Sequence, residues 1–364
     1  MDPLPVGVLG CGTISRQYCD TLAELDQIEL VACADLDADQ SAALAAEYDL
    51  EQRDTDELLA AGDVAAILNL TPPSVHADTT LDALEHGKHV HVEKPLAATV
   101  ADGRSVVEAA AERDLLVSVA PDTVLGSGIQ RCRHAIDAGA IGDPIGATAI
   151  WLSGGHESWH GNPGIFYREG GGPLFDMGPY YVTALVTLLG PVERVYGATR
   201  QSGPERTYED DAGETQRLPV EVPTHEVGLL EFAGGATATV QVSFDAAGRT
   251  TLESFPFEVY GTDGSLRLTD PNRFTGTPVL SADDELTEIG TEYAGYTSRR
   301  GAGLVDMAYA LAGDWEQRLS ARRGLHVLEI MAGIRDAGAT GEPISIETAI
   351  ERPAAVPSSF PDRP

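Results

Sequence analysis

The first 120 residues alternate short apolar runs with amphipathic stretches. Val6 to Leu9, Ile28 to Ala34, Ala65 to Leu70, the run through Val90 and Val92, and Leu116 to Ala120 read as buried strands. Between them, the stretch through Leu25, Asp39 to Tyr48, Ser74 to His86 (closed by Gly87) and Val100 to Arg113 carry helical periodicity. Such βαβ alternation requires a mostly parallel, doubly wound sheet, so residues 1–121 are predicted to form an α/β domain of Rossmann type.

After Ala120 the pattern changes. A helix over Gly128 to Ala138 gives way to strands at Ile145 to Leu152, Val192 to Thr199, Val227 to Phe232, Ala236 to Phe244, Phe255 to Gly261 and Ser265 to Leu268. Short turns at Gly234-Gly235 and Asp263-Gly264 signal antiparallel hairpins, so residues 122–350 form a second domain of α+β type. The acidic, turn-rich stretch from Ser202 to Gln216 reads as a solvated hairpin loop. Two further helices, one from Asp306 and one over Gly324 to Arg335, precede a tail over 351–364. That tail holds Pro353, Pro357, Pro361 and Pro364 and should pack poorly at its end. No internal repeat is present.

At 364 residues and 43% hydrophobic content the chain can bury two sizeable cores. Its charge is the unusual feature: 57 acidic against 24 basic residues give a formal net charge of −33, spread along the chain. An acidic shell opposes nucleic acid and anionic membranes, and it suits a cytosol near molar salt, so the composition reads as halophilic. The melting temperature should therefore rise steeply from dilute buffer to molar KCl as screening relieves self-repulsion. A flat melting temperature across that range would contradict this reading. Cys11, Cys19, Cys33 and Cys132 show no metal-ligand spacing and read as small buried side chains in a reducing compartment. No apolar run has membrane-spanning length and Met1 to Pro5 leads directly into a strand, so a cytoplasmic location is expected.

The first chemical motif is Gly10-Cys11-Gly12-Thr13-Ile14-Ser15, a Gly-x-Gly-x-x-Ser turn between strand and helix. Gly10 permits the tight turn, and Gly12 removes a side chain that would keep a pyrophosphate from the helix N-terminus. Ile28 to Ala34 ends at Asp35, where an acid can accept hydrogen bonds from both ribose hydroxyls; capping the following helix is its alternative role. A carboxylate there repels a 2′-phosphate and no arginine follows it, which favours NAD over NADP. Thr71 and Pro72 lie at another strand's carboxyl end with His76 one turn into the next helix. They are candidate cofactor neighbours, and packing serves His76 equally well. His89 and His91 read as interior histidines of the central strand.

That strand ends in Glu93-Lys94-Pro95. Only two of the 24 basic residues are lysine, Lys88 and Lys94, so an amine here points to a role that arginine cannot fill, such as proton transfer. Pairing with Glu93 is the structural alternative, and the residues alone leave both open. In the second domain, Gly170-Gly171-Gly172 is expected to let backbone approach a ligand closely. Behind it Asp176, Tyr180 and Thr183 share one helix face, which spacing leaves either solvent-facing or a site wall, with solvent-facing slightly ahead. His156, Trp159, His160 and Tyr167 are candidates for holding a polar ring, although as core Trp159 would look the same. No metal is implied.

Taken together, the Gly10 to Ser15 turn, Asp35, Glu93-Lys94-Pro95 and the triple glycine with Asp176 resemble the Gfo/Idh/MocA oxidoreductase family over nearly the whole chain. The resemblance implies a Rossmann domain binding NAD(P) and a C-terminal domain with a large open, mainly antiparallel sheet. It also implies a homo-oligomer, dimer or tetramer, formed through that sheet, and oxidation of a sugar or polyol hydroxyl. By the same resemblance Gly10, Gly12, Thr13, Ile14, Asp35, Thr71, Pro72, His76, Glu93 and Lys94 contact the cofactor, while Lys94 and Asp176 surround the reacting carbon. Many members have a histidine four residues beyond the aspartate. Here it is Tyr180, as in the branch resembling glucose-fructose oxidoreductase and dimeric dihydrodiol dehydrogenase, where a tyrosine is the acid/base; Thr183 departs from the inositol-dehydrogenase pattern. A tyrosine with an ordinary pKa of about 10 needs a neighbouring cation to act near neutrality, and Lys94 can supply it. Two rival readings are a glycoside-acting enzyme that recycles its cofactor in place and a non-catalytic dinucleotide-binding sugar sensor.

Overall fold

A computed structural model describes residues 2–210, 212–246, 255–290, 300–313, 315–357 and 360. The chain divides into two compact units. One comprises Met1–Ser127, Gly295–Leu325 and Val356–Pro364, and the other Gly128–Ala294 and His326–Ala355.

In the first unit six strands alternate with helices: β1 (Leu4–Leu9), α1 (Thr13–Leu22), β2 (Ile28–Ala34), α2 (Ala38–Tyr48), β3 (Glu51–Gln52), α3 (Thr55–Ala60), β4 (Ala66–Asn69), α4 (His76–Glu85), β5 (His89–Val92), α5 (Val100–Glu112) and β6 (Val117–Val119). They form one parallel sheet in the order β3-β2-β1-β4-β5-β6. Strands covered on both faces must be apolar throughout, and Val6, Val8, Ala32, Ile67, Leu68, Val90 and Val92 are buried accordingly. The strand order reverses between β1 and β4, so ligands are expected beyond the carboxyl ends of these strands.

The second unit holds α6 (Ser127–Asp137, its first residue in unit one), β7 (Pro144–Leu152), α7 (Pro173–Asp176), α8 (Gly178–Leu189), β8 (Val192–Arg200), β9 (Glu205–Glu209), β10 (Thr215–Pro219), β11 (His225–Phe232), β12 (Thr237–Ser243), β13 (Phe257–Gly261), β14 (Ser265–Arg267), β15 (Val279–Ala282) and β16 (Glu285–Glu288). After α9 (Ala302–Leu311) of the first unit, α10 (Ala321–Thr340) contains the dividing point between Leu325 and His326, and β17 (Ile344–Ser345) follows. Nine strands form one sheet, β16-β15-β14-β13-β7-β12-β11-β8-β17, antiparallel throughout except for the β7–β12 pair. In β11 and β12 every second residue is buried, as a sheet with one covered face requires, and α7 and α8 pack against these strands.

Two segments of the chain's second half carry more structure than the sequence reading marks. The stretch from Ser202, expected as a solvated hairpin loop, holds a largely exposed hairpin of its own, β9 paired with β10. The C-terminal stretch is anchored: Val356 and Phe360 are buried, and Phe360 lies 6.0 Å from the Trp315 ring. Pro361 and Pro364 lie outside the described residues. The returning segment of the first unit is tied to β6 by a bridge between Ser118 and Ser320, and Asp122 accepts the Gly301 N–H at 2.7 Å beside the start of α9. The first unit therefore extends beyond a domain cut at residue 121, taking in Gly295–Leu325 and part of the 351–364 tail.

Candidate active site

At the end of β1 Gly10 adopts φ +96°, and a Cβ there would lie 2.7 Å from the Leu70 carbonyl, so only glycine fits. A Cβ on Gly12 would meet nothing within 4 Å, which leaves open space before α1. No side chain caps that helix and its first turn carries no acid, so its N–H groups and dipole suit an anion. Thr13 is exposed and Ile14 half-buried there, while Ser15 is buried, its hydroxyl donating to the Gly12 carbonyl at 2.7 Å. Asp35 is pinned through both oxygens: Oδ2 accepts the Cys11 N–H at 2.6 Å and Oδ1 the Asp37 N–H at 2.8 Å. The cap of α2 is Asp37, which frees Asp35 from that role. Beside Asp35, Leu36 is fully exposed, an apolar side chain that the motif does not mark. Turn, open helix end and fixed carboxylate fit a dinucleotide.

Behind this edge, backbone ties hold the loops. Asn69 Oδ1 accepts from the Thr71 hydroxyl at 2.7 Å, and Pro72 is exposed. The buried His76 sets Nε2 2.7 Å from the Thr71 carbonyl and Nδ1 2.7 Å from the Pro95 carbonyl, joining two strand-end loops. Burial lowers its pKa against the pull of the two carbonyls. His76 is thus a brace for the loops, with both ring nitrogens engaged by backbone. Glu93 is likewise internal: Oε1 accepts from the Tyr18 hydroxyl at 2.8 Å and from Arg300 at 3.5 Å, and Oε2 accepts the Lys94 N–H at 2.8 Å. Burial works to raise its pKa, but Arg300, Lys94, the N–H bond and Tyr18 together hold it below its ordinary value. Glu93 therefore shapes the turn that presents Lys94, which is half-buried. The other lysine, Lys88, is structural, its ammonium donating to the Val64 carbonyl at 2.8 Å.

In the second unit two of the three glycines, Gly171 and Gly172, pack closely against the chain itself. A Cβ on Gly171 would lie 2.7 Å from the Phe166 carbonyl, and one on Gly172 (φ +89°) 2.5 Å from Arg335 Nη2. Glu226, wholly buried, receives Arg335 Nε at 2.6 Å on Oε1 and the Leu174 N–H at 3.0 Å on Oε2. Arg335 also donates to the Gly171 carbonyl at 2.7 Å and stacks 4.2 Å over Phe175. This clamp fixes the start of α7, and with it Asp176 at its end. Met177 separates α7 from α8, where Pro179 occupies the first turn, as its missing N–H requires.

Tyr180 is 3% and Thr183 4% exposed, so the polar stripe faces the interior, contrary to the solvent-facing reading; α8 is buried almost around its circumference. Asp176 Oδ2 lies 2.8 Å from Nε2 of the buried His156. Trp159 is 66% exposed, and half-buried His160 accepts the Asn162 N–H on Nδ1 at 3.0 Å, burial lowering its pKa. Tyr167 departs from its expected role: it is wholly buried in a core cluster with Leu218, Val220 and Phe244, beneath Arg206, and burial raises its pKa. From β9, Arg206 bonds Glu157 at 2.8 Å, the Gly154 carbonyl at 3.1 Å and Asp245, tying the hairpin to the histidine loop. Neither this arginine nor the Glu226–Arg335 clamp was marked by any motif.

Two family models match the chain, the "oxidoreductase family, NAD-binding Rossmann fold" over residues 4–121 and the "GFO/IDH/MocA C-terminal domain" over residues 129–267. The chain belongs to the Gfo/Idh/MocA oxidoreductase family. Among relatives, 1,5-anhydro-D-fructose reductase of Ensifer adhaerens is 27% identical, covering 94% of this chain and 99% of its own. Inositol 2-dehydrogenase of Burkholderia ambifaria is 26% identical over 93% of this chain and 88% of its own. A solved levoglucosan dehydrogenase in complex with NADH and L-sorbose shares the fold with a TM-score of 0.80 at 21% identity, covering 96% of this chain and all of the other. As a Gfo/Idh/MocA protein the chain has an NAD-binding Rossmann domain. Among the described residues no group of histidines, cysteines and acids could hold a metal ion, and no helix is long and apolar enough to cross a membrane.

Proposed function

We propose that the protein is an NAD-dependent dehydrogenase that oxidises a carbinol carbon of a sugar or polyol to a carbonyl. The observation that carries this reading is the pairing of a family NAD-binding domain with a fixed acid, Asp176, followed four residues on by Tyr180. The names of the relatives, acting on an anhydrofructose and on inositol, support the substrate class.

NAD, held by Gly10, Gly12 and Asp35, would supply the two-electron acceptor for the carbinol hydride. The chain's residues handle the rest. Tyr180 takes the hydroxyl proton as the C–H bond breaks, and Lys94 supplies the cation that lets a tyrosine do so near neutrality. Asp176 accepts from a substrate hydroxyl and sets the carbinol's orientation. His160 and Trp159 flank the substrate, the latter offering an apolar ring to sugar C–H groups. We further assign Thr13, Ile14, Thr71 and Pro72 to the cofactor's contacts, and a homo-oligomer through the nine-stranded sheet.

Cofactor choice follows from Asp35, whose carboxylate accepts from ribose hydroxyls and repels a 2′-phosphate. The ratio of kcat/KM should favour NAD, and Asp35→Ser should erode the preference. Equal use of NADP by the wild-type protein would remove Asp35 from that role. The activity itself is tested by offering sugars, polyols and inositols with NAD in molar KCl: a carbonyl product and NADH are expected from at least one. Dinucleotide binding without turnover on any of them would favour the sensor.

A further inference from the structure

We propose that His156 is the positioning residue for Asp176, held as its Nε2–H tautomer so that it donates one fixed hydrogen bond to the carboxylate that orients the substrate. This rests on the function proposed for Asp176 and extends it to a residue from a different element. His156 lies in the loop after β7, whereas Asp176 ends α7, and the two meet at 2.8 Å between Nε2 and Oδ2.

Three observations carry the assignment. First, the imidazole has little room to turn. It is 5% exposed and enclosed by Phe166, Phe244 and Trp159, with ring centroids at 4.1, 4.7 and 4.9 Å. Second, its loop is anchored on both sides of the histidine, since Arg206 bonds the Gly154 carbonyl and the Glu157 carboxylate. Third, among the described residues Nδ1 is buried without a hydrogen-bond partner. A neutral imidazole has one N–H and one lone pair. The carboxylate takes the N–H, so the proton resides on Nε2 and Nδ1 keeps a bare lone pair. The opposite tautomer would bury an unsatisfied N–H and face a lone pair against a carboxylate, losing both interactions. His160, the loop's other histidine, engages its Nδ1 with the Asn162 N–H. Among the described residues His156 is thus the loop histidine that hydrogen-bonds the acid.

The arrangement parallels a carboxylate and histidine in catalytic triads with the roles exchanged: there the acid orients the imidazole, and here the imidazole orients the acid. A carboxylate free to change rotamer would lose the geometry on which orientation depends, where a misplacement near 1 Å costs on the order of 10²-fold.

The test combines His156→Leu, His156→Gln and nitrogen NMR of the wild-type protein labelled on histidine. A glutamine amide can stand near the imidazole Nε2 and donate the same bond, whereas leucine cannot. For the substrate that the wild type turns over, His156→Leu should lower kcat/KM by about tenfold or more, and His156→Gln should recover most of the loss. NAD affinity should be unchanged in both. The NMR spectrum at neutral pH should show His156 protonated at Nε2 and bare at Nδ1, the resonance being assigned by its loss in His156→Gln. Wild-type kinetics in His156→Leu, a glutamine variant as impaired as the leucine one, or an Nδ1-protonated ring would each overturn the proposal. If the wild-type protein oxidises no carbinol, the proposed function fails on that measurement, and the tautomer, read without turnover, still decides whether His156 serves Asp176 as donor. If His156→Leu fails to fold, the glutamine variant and the wild-type spectrum carry the decision.

Discussion

Tyr180→Phe and Lys94→Met should each lower kcat by about 10²-fold or more, the scale of a lost acid/base group, while leaving NAD affinity nearly unchanged. In the proposed mechanism the tyrosine accepts the proton only because a cation favours its phenolate, so the two residues act as one unit. The double variant should then be hardly worse than either single one. Multiplicative losses in the double variant would instead assign the residues independent tasks. Near-wild-type turnover in Tyr180→Phe, with its fold and NAD affinity intact, would remove Tyr180 from the chemistry and make His160 the next residue to test.

The second large effect concerns stability. Arg335→Met removes the cation from a carboxylate that has no exposed surface, leaving Glu226 with the Leu174 N–H but without the 2.6 Å bond from Arg335 Nε. Breaking a buried pair from one side costs about 3–5 kcal/mol because the remaining charge stays desolvated. The same change loses the donor to the Gly171 carbonyl and the stack on Phe175. Chemical denaturation should show the transition of the second unit shifted by that amount, with Glu226→Gln in the Arg335→Met background recovering part of it, because the two changes share one interaction. A shift within about 0.5 kcal/mol for Arg335→Met would mean that the clamp does not hold the turn.

The contrast between this clamp and the dinucleotide turn shows what the sequence made legible. The parallel strands were readable because burial on both faces demands unbroken apolar runs such as Ala66 to Leu68, and the Gly10 to Ser15 turn because its chemistry is local. The edge strands β3, β16 and β17, and β15 beside β16, carry no legible signal. They are two to four residues long, and every residue of β16, Glu-Leu-Thr-Glu, is exposed, so no period can emerge. The stripe Asp176, Tyr180, Thr183 had the right spacing but an undecidable direction, since periodicity shows which residues share a face and not what that face meets. The pairs that organise the site, His156 with Asp176, Arg206 with Glu157, and Arg335 with Glu226, join positions 20, 49 and 109 residues apart. No local pattern encodes them. The triple glycine illustrates the limit: its composition announces close approach, but only the fold reveals the Phe166 carbonyl beside Gly171 and Arg335 beside Gly172.

The central claim is hydride transfer from a carbinol carbon to NAD, and isotopic labelling tests it most directly. A sugar or polyol that the protein oxidises is supplied with deuterium on its carbinol carbons, in molar KCl with unlabelled NAD, and the reduced dinucleotide is analysed by mass spectrometry. The account predicts one deuterium in each reduced dinucleotide and a fall in rate where the C–H bond breaks in the slow step. Reduced dinucleotide without deuterium, or no reduction with any carbinol offered, would contradict it.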